Sequence, residues 1–114
     1  MLDMSVFNTV VDGTYETLVE NKCGRIVKGH EGSLMMVEVF FLDFYESDNH
    51  SHIHEQMTYC LDGEFDFFVD GNKEHIKTGD TIYFSSNVEH YCKVTTKNGR
   101  LLDVFTPIRQ DFIK

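Results

Sequence analysis

Three histidines, a glutamate and a glutamine fall within seven residues, from His50 to Gln56, in the stretch HSHIHEQMTYCLDG. Imidazole nitrogen and side-chain oxygen are the donors a first-row divalent metal takes where no thiolate is offered. Spacing adds to residue type. Side chains on a β-strand alternate with period two, so an H-x-H pair turns two imidazoles to one face. A short apolar segment, Met57 to Leu61, follows and ends on Asp62-Gly63. A strand is therefore expected to aim this polar cluster inward.

The surrounding chain reads as short strands broken by turns. Residues 1–20 are weakly patterned, with an edge strand or a helical turn near Tyr15 to Val19. Strands are expected at Cys23–Lys28 and Leu34–Phe44, with a turn at His30 to Ser33 between them. Leu34–Phe44 is apolar on both parities, which requires a cover on each face, one of them a partner subunit if the strand is not central. Tyr45 to Asn49 reads as a polar loop before the histidines. Further strands are expected at Glu64–Val69, Lys73–Lys77, Thr81–Phe84, His90–Thr95 and Leu101–Pro107. Asp70-Gly71-Asn72, Thr78-Gly79-Asp80 and Lys97-Asn98-Gly99 supply turn chemistry between them. This rhythm predicts an all-β antiparallel sandwich or barrel.

The totals agree. The 114 residues suffice for one domain, 1–114, and 41% are apolar, including ten phenylalanines and five tyrosines. A net charge of −9 argues against a nucleic-acid or anionic-membrane partner, since both demand a basic face. Cys23, Cys60 and Cys92 form no C-x-x-C pair and read as reduced thiols of a cytoplasmic protein. The first residues lack the pattern of a signal peptide, and the most apolar stretch is broken by Glu38 and Asp43, too short to cross a bilayer.

Two motifs resemble those of small single-domain cupins. In the first, His50, His52, Gln56 and Gly63 match H-x-H, three residues, E or Q, six residues, G. In the second, Gly79 and His90 match at the family spacing, with Ser85 where proline is usual and Asn87 where glycine is. Phe44 stands where a glycine usually precedes the first histidine. The resemblance covers about residues 34–107 and implies a cupin-type antiparallel β-barrel, the double-stranded β-helix or jelly roll. It implies one divalent transition metal held by His50, His52, Gln56 and His90, with nickel, zinc, iron, manganese and copper all compatible. Pairing His52 with His54 instead would put Thr58 third and lose the glycine. His54 and Glu55 are then expected in the turn between strands, supporting the ligands from behind, and His30 and His75 as plain surface residues.

HSHIHEQ, GEFDFFVDG and DVFTPIRQDF together resemble KdgF-type cupins of uronate catabolism, which convert 4,5-unsaturated monouronates into linear ketonised sugars. That resemblance implies a catalytic Asp103 and substrate contacts from Phe105 and Arg109. Asp103 and Phe105 are two apart on a strand and share a face. A carboxylate turned into an apolar barrel is costly unless paired or functional. Arg109 offers a planar fork for a uronate carboxylate. The plain alternatives are an outward Asp103 and an exposed ion pair at Arg109. Cys92 shares parity with His90, which leaves two readings, a cavity-bordering residue and a buried inert thiol, the second being the expectation. The neutral ligand set leaves a cation its full charge, which favours Lewis-acid chemistry on an anionic sugar. The competing expectations are a cupin dioxygenase using a redox metal and a sugar-binding cupin without catalysis. The resemblance also implies a homodimer.

Overall fold

The computed structural model describes residues 6–113. Nine strands follow in order: β1 (Tyr15–Val19), β2 (Cys23–Glu31), β3 (Leu34–Phe41), β4 (Glu55–Asp62), β5 (Glu64–Val69), β6 (Asn72–Lys77), β7 (Thr81–Phe84), β8 (His90–Val94) and β9 (Gly99–Thr106). They form two antiparallel sheets, ordered β1-β2-β3-β9-β4-β7 and β6-β5-β8. This is the expected jelly-roll architecture, although its hydrogen bonding does not run unbroken around a closed barrel. The near end of the chain supplies an edge strand at Tyr15–Val19, and residues 1–5 of that weakly patterned stretch lie outside the described residues.

Period-two burial is clearest on the strands that carry the site. On β4, Gln56, Thr58 and Cys60 face inward while Glu55, Met57 and Tyr59 face out; on β9, Leu101, Asp103 and Phe105 face inward. The main core joins Phe41, Cys60, Phe65, Phe67, Phe84 and Leu101 between the sheets. A smaller cluster of Met35, Val37 and Phe105 is covered by Ile108, Phe112 and Ile113 of the C-terminal segment. All three cysteines are buried and unpaired.

Three expectations are corrected. The third strand stops at Phe41 rather than Phe44, because Asp43 and Phe44 take φ of 51° and 58° and turn the chain out of the sheet. Its two faces are not equivalent. Met35, Val37 and Phe41 enter the core, whereas Leu34 and Met36 are exposed and Glu38 is held by Arg100. Glu55 is not in a turn but opens β4 and faces outward, accepting a hydrogen bond from the Tyr83 hydroxyl.

Candidate metal centre and its cavity

The histidines come together without a shared strand. His50 forms an isolated antiparallel bridge with His90, the first residue of β8, and His52 lies in the irregular segment before β4. The expected H-x-H strand is thus replaced by a bridge that ties the two motifs directly. The loop before β8 adds further ties. The Asn87 amide donates to the His52 carbonyl at 2.7 Å, and the Ser86 hydroxyl donates to the Ile53 carbonyl at 2.6 Å. Asn87 takes φ of 66° and Phe44 takes φ of 58°, so both substituted glycine positions keep the left-handed backbone. Asparagine adopts that region more readily than most residues.

Ligand atoms of His50, His52 and His90 all lie within 4.8 Å of one another. Each ring presents its Nδ1 to a backbone carbonyl at 2.9 Å, of Asp48, His54 and Val88 respectively. Nδ1 therefore carries the proton, and the three Nε2 lone pairs are left to face a common point. His54 contributes its backbone carbonyl to this arrangement, while its own Nδ1 is buried without a partner. Burial, reinforced by the neighbouring imidazoles and Arg109, pushes the His90 pKa down to about 4, and burial lowers that of His52 as well. Both rings are thus neutral at pH 7, the form that donates a lone pair. The Phe84 ring stacks on His90 at 4.4 Å between centroids and fixes its plane.

Gln56 is oriented by a buried relay. Its amide NH2 donates to Thr58 Oγ1 at 2.9 Å, and the Thr58 hydroxyl donates to Asp103 Oδ1 at 2.7 Å. The hydroxyl has a single proton, which the ionised carboxylate claims, so Thr58 can only accept from Gln56. That leaves Gln56 Oε1 pointing at His52 Nε2, 3.1 Å away. With Nδ1 protonated, two lone pairs face each other there. His90 Nε2 is buried with no hydrogen-bond partner. Lone pairs converging without a donor are costly unless a cation lies among them. This donor set fits a divalent transition metal.

Asp103 sits opposite Thr58 in the β4–β9 register and is 9% exposed. Burial raises its pKa to about 6, against the hydrogen bonds from Thr58 and Gln56 and the charge of Arg109. Phe105 is buried two residues on, so the shared inward face expected of this pair is realised. Arg109 is bound through Nε and Nη2 to the Asp111 carboxylate at 3.1 and 2.9 Å, and its guanidinium lies 4.1 Å from the Phe112 ring centre. An ion pair does occupy it, yet the side chain is only 15% exposed and turned to the cavity.

A cavity of about 420 Å³ is lined by His50, Gln56, His90, Asp103, Phe105 and Arg109, with Cys92 on its wall. His50 is exposed and His90 buried, so the cluster spans the depth of the opening. Such a site could bind a small polar molecule, polarise it and exchange a proton with it. His30 is exposed, as expected. His75 is exposed too, as expected, and Glu64 and Asp66 hold its two nitrogens at 2.8 and 2.7 Å and raise its pKa. Sequence reasoning missed the relay role of Thr58, whose only signal was its shared parity with Gln56.

Residues 44–105 match the family model described as Cupin domain. The chain is 36% identical over 81 residues to the pectin degradation protein KdgF of Dickeya dadantii, covering 70% of this chain and 74% of that protein. An RmlC-like cupin from Shewanella frigidimarina superposes with a TM-score of 0.86 at 30% identity, over 94% of this chain and 95% of that one. KdgF from Halomonas sp. superposes with the same TM-score, 0.86, at 23% identity, over 94% and 97% of the two chains. With a family model covering more than half its length and a histidine cluster at the matching motifs, the chain belongs to the cupin family.

Proposed function

We propose that this cupin is a metal-dependent enzyme that opens and ketonises 4,5-unsaturated monouronates, small anionic sugars released in pectin or alginate breakdown. The observation that carries the reading is the relay from Gln56 through Thr58 to the buried Asp103, which links a carboxylate of raised pKa to the histidine cluster. The relative named for pectin degradation supports the substrate class. His50, His52, His90 and Gln56 would hold one divalent transition metal, which would supply Lewis-acid polarisation of the sugar oxygens. Asp103, with a pKa near the working pH, holds and moves the proton that turns enol into ketone. Phe105 backs the wall against which the sugar lies, and Arg109 takes the sugar's carboxylate through the edge not used by Asp111. The apolar wall and the C-terminal segment limit water at the reacting end.

The test is direct. Metal-loaded protein mixed with a lyase-generated unsaturated monouronate is expected to bleach the enol ultraviolet absorbance faster than the spontaneous rate. An unchanged rate with metal bound overturns the reading.

We further propose a homodimer built on the outer face of the larger sheet. Met36 pairs with Val104, Val104 with Met57 and Met57 with Tyr83, so an apolar row crosses four strands. Met36, Met57 and Tyr83 are 42%, 46% and 52% exposed, an apolar band that a second copy would cover. A monomer in sedimentation equilibrium overturns this. The unpaired thiols support a cytoplasmic setting. Among the described residues no helix is long and apolar enough to cross a membrane.

A further inference from the structure

An arginine points into the barrel from a strand that neither motif includes. Arg25 lies on β2 with the parity of the buried Cys23, and its side chain is only 14% exposed. A guanidinium cannot shed its charge, so an inward arginine must be matched by partners or by a ligand. Glu16, its cross-strand neighbour on β1, takes Nε at 2.7 Å and Nη2 at 2.6 Å. The pairing repeats that of Arg109, whose Nε and Nη2 are taken by Asp111. In both cases a carboxylate occupies the side edge of the fork, fixes the plane, and leaves Nη1 with the outer edge as donors.

The two guanidiniums share one support. Arg25 lies 3.6 Å and Arg109 4.1 Å from the centre of the same Phe112 ring, so their central carbons are within about 8 Å of each other. Both side chains line the cavity that holds Asp103 and the histidines. A carboxylate hydrogen-bonded to an arginine lies roughly 4 Å from its central carbon. Each guanidinium therefore offers its own donors to an acid that enters that cavity.

We propose that Arg25 is a second carboxylate-reading residue, paired with Arg109 across Phe112, which makes the cavity selective for small sugar acids over neutral sugars. The inference rests on the uronate reading above and deepens it by assigning the group that recognises the acid. Glu16 and Asp111 hold the pair in place before ligand arrives, so the site has little ordering left to do on binding.

Calorimetry of the metal-loaded full chain tests this without turnover. The probes are D-galacturonate, a saturated uronate that cannot react, and D-galactose, its neutral counterpart. The wild type is expected to bind galacturonate at least tenfold more tightly than galactose. Arg25→Gln is expected to reduce that preference by about tenfold, the value of one charged hydrogen bond, while leaving galactose affinity unchanged. Arg25→Lys keeps the charge and the fold but not the fork, and is expected to fall between the two. No acid preference in the wild type overturns the proposal. So does an equal loss for both sugars in Arg25→Lys and Arg25→Gln, which would make Arg25 only a brace for the C-terminal segment. Failure of the bleaching assay with the acid preference intact would reject the reaction and keep the subsite.

Discussion

Replacing Thr58 by valine is expected to damage this protein far more than the near-identical shape of the two side chains suggests. Thr58 is fully buried and carries two hydrogen bonds, one from Gln56 at 2.9 Å and one to Asp103 at 2.7 Å. Valine fills the space but serves neither partner. The Gln56 NH2 loses its hydroxyl partner in the interior, at a cost of about 1–3 kcal/mol, and the Asp103 carboxylate loses a charge-assisted bond worth about 1.5–3 kcal/mol. A loss of about 3–5 kcal/mol follows, since buried orphans have no water to turn to. Thr58→Ser keeps the hydroxyl and gives up one methyl, at about 1 kcal/mol. The assay is urea unfolding of both variants and the wild type after chelation, followed by competitive metal titration. Gln56 loses its orientation only in the valine variant, so metal affinity is expected to fall about 10–100-fold there and to change little in serine. A serine variant as unstable as the valine one would refute this and show that packing, not hydrogen bonding, governs the position.

The charge on Asp103 should be needed for turnover and costly for stability. Its pKa stands at about 6 when folded against 3.8 ordinarily, so between those pH values the folded chain holds the extra proton and stability falls as pH rises. Asp103→Asn is expected to lower turnover by roughly 10²–10⁴-fold while making the chelated protein more stable at pH 7.5, an advantage that urea unfolding should find absent near pH 3.5. His75 runs the other way. Glu64 first, then Asp66, raises its pKa, so its contribution is present below the ordinary histidine range and is lost as pH rises through the raised value. The stability gap between wild type and His75→Gln should be open at pH 6, close by pH 9 and shrink with added salt.

Local chemistry made much of this molecule legible in advance. Turn residues and period-two patterning marked the strands because each depends on near neighbours. Asp70-Gly71, with φ of 50° and 80°, turns the β5–β6 hairpin where expected. The spacing of His50, His52, Gln56 and His90 marked side chains that do converge, and parity placed Asp103 and Phe105 on one inward face. Where the pattern misled, a backbone choice decided. Leu34 to Phe44 stays apolar past the point at which left-handed Asp43 and Phe44 end the strand, and hydrophobicity carries no record of φ.

Register and the path of distant segments were decided only by the folded chain. Parity states which face a residue takes but not which residue it meets. Thr58 and Asp103 are 45 positions apart, and only the β4–β9 pairing sets them opposite each other and turns the Gln56 carbonyl toward His52. Arg25 and Arg109 each lie against the ring of Phe112, in the 3-10 turn after β9, an arrangement that no spacing rule contains. The residue types state what chemistry is available, because donors and acceptors are intrinsic to side chains. Which of them share a cavity depends on strand pairing summed over the whole fold.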